Sequence, residues 1–184
     1  VEFYNWSLAT GPHVNLEFDM WPRIGENLQR GDVPGAASLL RRGSEEYFAH
    51  VCDALECQVK YRLDGRNDLG DYLPSAMSRF RSLLKRARTA AQTWSDSARY
   101  GDMNELESVA SSIFERSNAE QWAVNASVHF NNWENMSSGD FEPVVEAFQD
   151  LHALFVCQKC GSLLHLAKKG YDPVAVQCNC ADVH

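Results

Sequence analysis

The chain has 184 residues, of which 45% are hydrophobic and 23% charged, with a net charge of −8. That length supports one medium domain with a real core, and five Trp with 11% aromatics exclude a solvated, disordered tail. No apolar run reaches the roughly 20 residues a membrane helix needs, and the acidic balance argues against a whole-surface polyanion binder. The chain opens Val-Glu-Phe-Tyr without a basic-then-apolar leader, which reads as a cytoplasmic domain cut from a longer protein.

In chain order, Val14, Leu16 and Phe18 alternate with polar residues and suggest a short strand, and residues 20–29 suit a helical turn or two. Asp32 with Pro34 is a helix start: Asp accepts from free N–H groups and Pro is tolerated in the first turn. Leu40, Tyr47, Phe48, Val51, Cys52 and Leu55 then keep helical spacing, and Cys52 and Cys57 read as buried thiols. Val59, Tyr61 and Leu63 alternate up to Asp64-Gly65, which predicts a short strand or extended link.

A second long helix carries Met77, Phe80, Leu84, Ala87, Ala91 and Trp94 on one stripe, ending at Gly101-Asp102. Between Met77 and Arg99 the local charge is +5, against −13 for the remainder. Arg79, Arg81, Lys85, Arg86 and Arg88 there form a candidate surface for nucleic acid or an acidic protein partner. A third helix bears Leu106, Val109, Ala110 and Ile113, and Ser117 with Glu120 suggests a capping box for a fourth helix over 119–133. Asp140 is positioned to cap a fifth, with Phe141, Val144, Val145, Phe148, Leu151 and Phe155 on its buried side.

The last 28 residues hold Cys157, Cys160, Cys178 and Cys180, two close pairs separated by 17 residues. Such pairs can turn four sulfurs toward one point through an intervening hairpin, here 163–168 and 174–177, with Gly161 turning the first knuckle. Four soft ligands favour Zn²⁺, and a sulfur-saturated shell makes the site structural rather than catalytic. The metal would supply the folding energy that so small a hairpin lacks. Because the second knuckle is Cys-x-Cys, His165 or His184 could replace one sulfur; two disulfides or free thiols are the other alternative. The predicted fold is therefore mainly α, a bundle of about five helices over 1–155 with a zinc-ribbon β-hairpin over 156–184.

Trp122, Asn125, His129 and Trp133 recur at helical spacing and share one face. Buried polar groups need partners, so Asn125 and His129 either bond to an earlier helix, Glu45 or Glu46 being candidates, or do chemistry. A helix bearing Leu39-Leu40-Arg41-Arg42-x-x-Glu45, followed by one reading Val124-Asn125-Ala-Ser-Val-His129, resembles the HEPN superfamily of helical bundles over about 33–135. The resemblance implies homodimers and, in active members, metal-independent RNA cleavage by an Arg that steadies phosphate and a His that moves a proton. Asn125 and His129 match that motif, Val124 stands where the Arg belongs, and the nearest upstream arginine is Arg116. That departure implies a non-catalytic member, with an endoribonuclease borrowing its cation from elsewhere as the alternative. The stretch 39–74, with Leu69-Gly-Asp-Tyr-Leu-Pro74, is also similar to C-terminal regions of bacterial SMC-like and ABC-type anti-phage ATPases. No Walker motif is present, so nucleotide binding by a P-loop is not expected. Three functions follow: a protein-interaction or dimerisation module, an endoribonuclease, and a nucleic-acid-binding domain.

Overall fold

The structure is a computed structural model that describes residues 4–7, 11–14, 20–120, 136–169 and 172–180. Strands β1 (Tyr4–Ser7) and β2 (Gly11–Val14) pair antiparallel, Tyr4 opposite Val14. Five helices follow among the described residues: α1 (Met20–Gln29), α2 (Val33–Ala54), α3 (Leu69–Thr93), α4 (Ser97–Glu120) and α5 (Ser138–Ala153). A second antiparallel hairpin, β3 (His165–Lys169) and β4 (Asp172–Gln177), closes the described chain. The protein is mainly α with a small C-terminal hairpin, and helices adjacent in sequence are neighbours in space.

Three of the helix ends are built alike. At each, the N–H of a left-handed residue bonds three residues back, and the next N–H bonds five back. The left-handed residues are Gly31 (φ 73°) after α1, Glu56 (φ 52°) after α2 and Ser95 (φ 56°) after α3. The longer bonds are Asp32 N to Asn27 O at 2.8 Å, Cys57 N to Cys52 O at 2.8 Å and Asp96 N to Ala91 O at 2.9 Å. Asp32 and Asp96 then each begin the next helix. The Asp32 carboxylate accepts from Gly35 N at 2.9 Å, and that of Asp96 from Arg99 N at 3.0 Å. A Cβ on Gly35 would come within 2.2 Å of the Asp32 carboxylate, so the first cap requires glycine there.

This moves two of the expected boundaries. Helix α3 stops at the Ser95-Asp96 turn, and Gly101 lies inside the first turns of α4. Ser117 starts no helix either: it is buried within α4 and its hydroxyl donates to Ile113 O at 2.5 Å. Asp140 is the third residue of α5, whose N-cap is Ser137 in a reciprocal capping box. The link 57–68 is not a strand. Arg62 turns inward to grip the Asp71 carboxylate (Nε–Oδ2 2.7 Å, Nη2–Oδ1 3.0 Å), and alternation then throws Tyr61 and Leu63 outward. They are 81% and 94% exposed. Trp94, past the last turn of α3, is 69% exposed and off the expected stripe.

The core is aromatic where the helices converge. Phe48 of α2, Phe80 of α3, Phe114 of α4 and Phe155 after α5 meet edge to face, with centroids 5.4–5.9 Å apart. Ile24, Leu40, Val51, Leu73, Phe141, Phe148 and Leu151 complete it at 1% exposure or less. Gly43 lets α1 approach α2, since a Cβ there would meet the Met20 thioether at 2.1 Å.

An imidazole is buried against this core. His152 stacks on Tyr47 at 3.9 Å, meets Trp21 and Phe48 edge-on, and places Nε2 3.2 Å from the Ser44 hydroxyl. Tyr47 donates its own hydroxyl to the His152 carbonyl at 2.8 Å. Burial alone pushes the imidazole down from 6.5 to about 3, so it is neutral in the fold. An unfolded chain takes up that proton near pH 6.5, so the contribution is full above 6.5 and erodes as pH falls toward 3. The loss is at most about 1.4 kcal/mol per pH unit. Urea unfolding at pH 7 and pH 5 should therefore show a clear loss of stability in the natural chain. A Ser44→Ala/His152→Phe double variant should lose less between the same two values, and an equal loss would mean the folded imidazole is protonated.

Candidate metal centre

The first cysteine pair is placed by the end of α5. Phe155, fully buried, accepts from Leu164 N at 2.9 Å, and Val156 bridges to Leu163. Leu163 and Leu166 in turn pack against the helical core, which seats the root of the hairpin on the bundle. Cys157 follows at once. Its carbonyl accepts from Gly161 N at 2.8 Å and its N–H donates to Ser162 O at 2.9 Å, closing a knuckle around Cys157 and Cys160. Gly161 is left-handed (φ 69°), the backbone state that glycine adopts without strain. Antiparallel pairing of β3 with β4, His165 opposite Gln177, brings Cys178 and Cys180 back beside it.

The four sulfurs lie within 4.8 Å of one another, and none of the six cysteines is in a disulfide. Cys157 Sγ is 3.7 Å and Cys178 Sγ 3.5 Å from Cys180 Sγ. A disulfide needs about 2.05 Å, whereas a tetrahedral ion with metal–sulfur bonds of about 2.3 Å needs sulfurs about 3.8 Å apart. The spacing fits a four-thiolate metal site. Cys157 and Cys178 are buried and Cys160 and Cys180 exposed, so one side of the cluster faces solvent.

The Ser162 hydroxyl serves both knuckles. It lies 3.1 Å from Cys160 Sγ and accepts from Asn179 N at 3.1 Å, joining the first pair to the backbone between the second. Through its hydroxyl first and its backbone second, Ser162 draws the Cys160 thiol down to about 6, ready to ligate as a thiolate at neutral pH. Sequence reasoning missed this residue. The signal was a hydroxyl directly after the turning glycine, where it can reach both knuckles. His165 is turned elsewhere, with Nε2 3.1 Å from Gln177 Nε2 across the hairpin and Nδ1 3.4 Å from Leu163 O. The sulfur set forms without it, and His184 lies outside the described residues.

The basic helix is partly engaged with its own protein. Arg79 Nε donates to Leu55 O at 2.8 Å, the Arg81 guanidinium sits 4.7 Å over the Phe114 ring, and Arg88 pairs with Glu107 of α4. Lys85 and Arg86 are exposed. Arg116 pairs with Asp150 of α5. Trp122, Asn125, His129 and Trp133 lie outside the described residues.

Outer partners of metal ligands typically contribute ten- to a hundredfold to affinity. Ser162→Ala should therefore weaken metal binding by roughly tenfold or more in competition with a chromophoric chelator, while helical circular dichroism stays unchanged. An unaltered affinity would remove Ser162 from the site. The chain matches no protein-family model, no curated protein and no solved structure.

Proposed function

We propose that this chain is a non-catalytic protein-interaction module whose C-terminal hairpin is held by one structural Zn²⁺. The observation that carries the reading is the closed set of four thiols around one point, which leaves no ligand position for a reacting water. Zinc is the divalent ion best suited to four thiolates in tetrahedral array without redox change. In the one Ser–His pair among the described residues, Ser44 is fully covered and so withheld from a substrate, while His152, held neutral, lines a groove with Trp21 and Tyr47. Three of the basic side chains on α3 are spent on Leu55, Phe114 and Glu107, which weakens the case for a phosphate-binding surface.

Two measurements test the reading. Metal analysis of the purified chain should give about one zinc per chain. Cys157→Ser should lose the metal and loosen the hairpin while the helical signal persists, and retained metal would overturn the zinc assignment. Separately, a pool of tRNA and single-stranded RNA incubated in EDTA should remain uncut. Cleavage that disappears in His129→Ala would replace this reading with the metal-independent endoribonuclease implied by the HEPN resemblance.

A further inference from the structure

Two cysteines lie away from the metal centre, and the helix end that holds them brings them together. In the turn that closes α2, Cys52 and Cys57 occupy the two positions whose side chains ordinarily touch across such a cap. The Cys57 N–H to Cys52 carbonyl bond (2.8 Å) and the Glu56 N–H to Asp53 carbonyl bond (3.2 Å) fix that geometry. Where most proteins put an apolar pair, this chain puts two thiols.

Their surroundings differ in kind. Cys52 is 5% exposed, and its thiol donates to the Tyr72 carbonyl at 3.4 Å. Cys57 is half-buried and stands beside Arg79, whose Nε is tethered to the Leu55 carbonyl at 2.8 Å. Arg79 thus neutralises the negative end of α2 at the place where a thiolate would form. A groove of about 590 Å³ borders the cap, lined by Glu56, Gln58, Ser75, Ser78 and Arg79.

We propose that Cys52 and Cys57 are a redox-active dithiol, with Cys57 the thiolate oxidised by a hydroperoxide and Cys52 the thiol that resolves it to an intramolecular disulfide. The neighbouring Cys52 thiol and, against burial, the Arg79 charge hold the Cys57 thiol below its usual range, while the Cys57 neighbour and burial push Cys52 up. In the first step the Cys57 thiolate attacks the terminal peroxide oxygen. The S–O bond forms, the O–O bond breaks, and the departing alkoxide or hydroxide takes a proton from water. In the second, Cys52 gives up its proton and attacks the Cys57 sulfur; the S–S bond forms and the sulfenic oxygen leaves as water. The sulfur pair is oxidised by two electrons and the peroxide reduced by two. A small external dithiol restores the pair by exchange.

The test uses the full, zinc-loaded chain with hydrogen peroxide and peptide mass spectrometry under non-reducing conditions. The expected product is a Cys52–Cys57 disulfide that forms before the four zinc-site cysteines oxidise and is reversed by dithiothreitol. In Cys52→Ala, dimedone should trap a sulfenic acid at Cys57, whereas Cys57→Ser should give no adduct at Cys52. Oxidation confined to the zinc-site cysteines, or equal trapping at either cysteine, would overturn the proposal. Alkylation of the natural chain needs no variant of the pair: iodoacetamide should modify Cys57 several-fold faster than Cys52 at neutral pH. Arg79→Gln should slow that labelling, and equal rates at both sulfurs would defeat the assignment of roles.

Discussion

The helical body depends on a turn in which one aspartate does two jobs. At Asp32 and again at Asp96, the backbone N–H completes the cap of the helix just ended and the carboxylate starts the next. No residue is left over for a loop, so α1 must fold back along α2 and α3 along α4. The Phe80–Phe114 contact becomes possible because the reversal at Asp96 brings α3 and α4 within reach. A longer connection would close the same contact at a greater entropic cost.

The hairpin borrows its order from that body. Its root is stitched to Phe155 by Leu164, and Leu163 and Leu166 lie on the core, so contacts with the bundle place the first knuckle. The second knuckle depends on register: a shift of one residue between β3 and β4 would turn Cys178 away from Cys157. Ser162 ties the two together by a single hydroxyl that touches a ligand on one side and the opposite backbone on the other.

Much of this was legible from residues alone. Asp32 with Pro34 announced α2, the apolar stripes of α2 and α5 became the core, and the cysteine spacing marked the four sulfurs that converge. What stayed hidden has physical reasons. Ser95 takes a left-handed conformation that glycine usually fills, so Gly101 looked like the break although a helix tolerates it at modest cost. Tyr61 and Leu63 alternate as a strand does, but the inward position between them belongs to Arg62 and its carboxylate partner. Nothing in the sequence beside His152 marks it as buried. Its burial depends on Trp21, Tyr47 and Ser44, which lie more than a hundred residues away in sequence and are invisible to local periodicity. Asn125 and His129 lie outside the described residues.

The seating of Cys157 two residues beyond Phe155 has a consequence for how tightly a metal ion would be held. In a free peptide, capture of a metal must order both knuckles and everything between them at once. Here the bundle has already fixed one sulfur pair, so the remaining disorder to be overcome is that of the 17 residues joining the pairs. Part of a metal ion's apparent affinity would thus be generated by helices that never touch it. By the same linkage, anything that loosens the Phe155 end of the core would weaken the hold on such an ion.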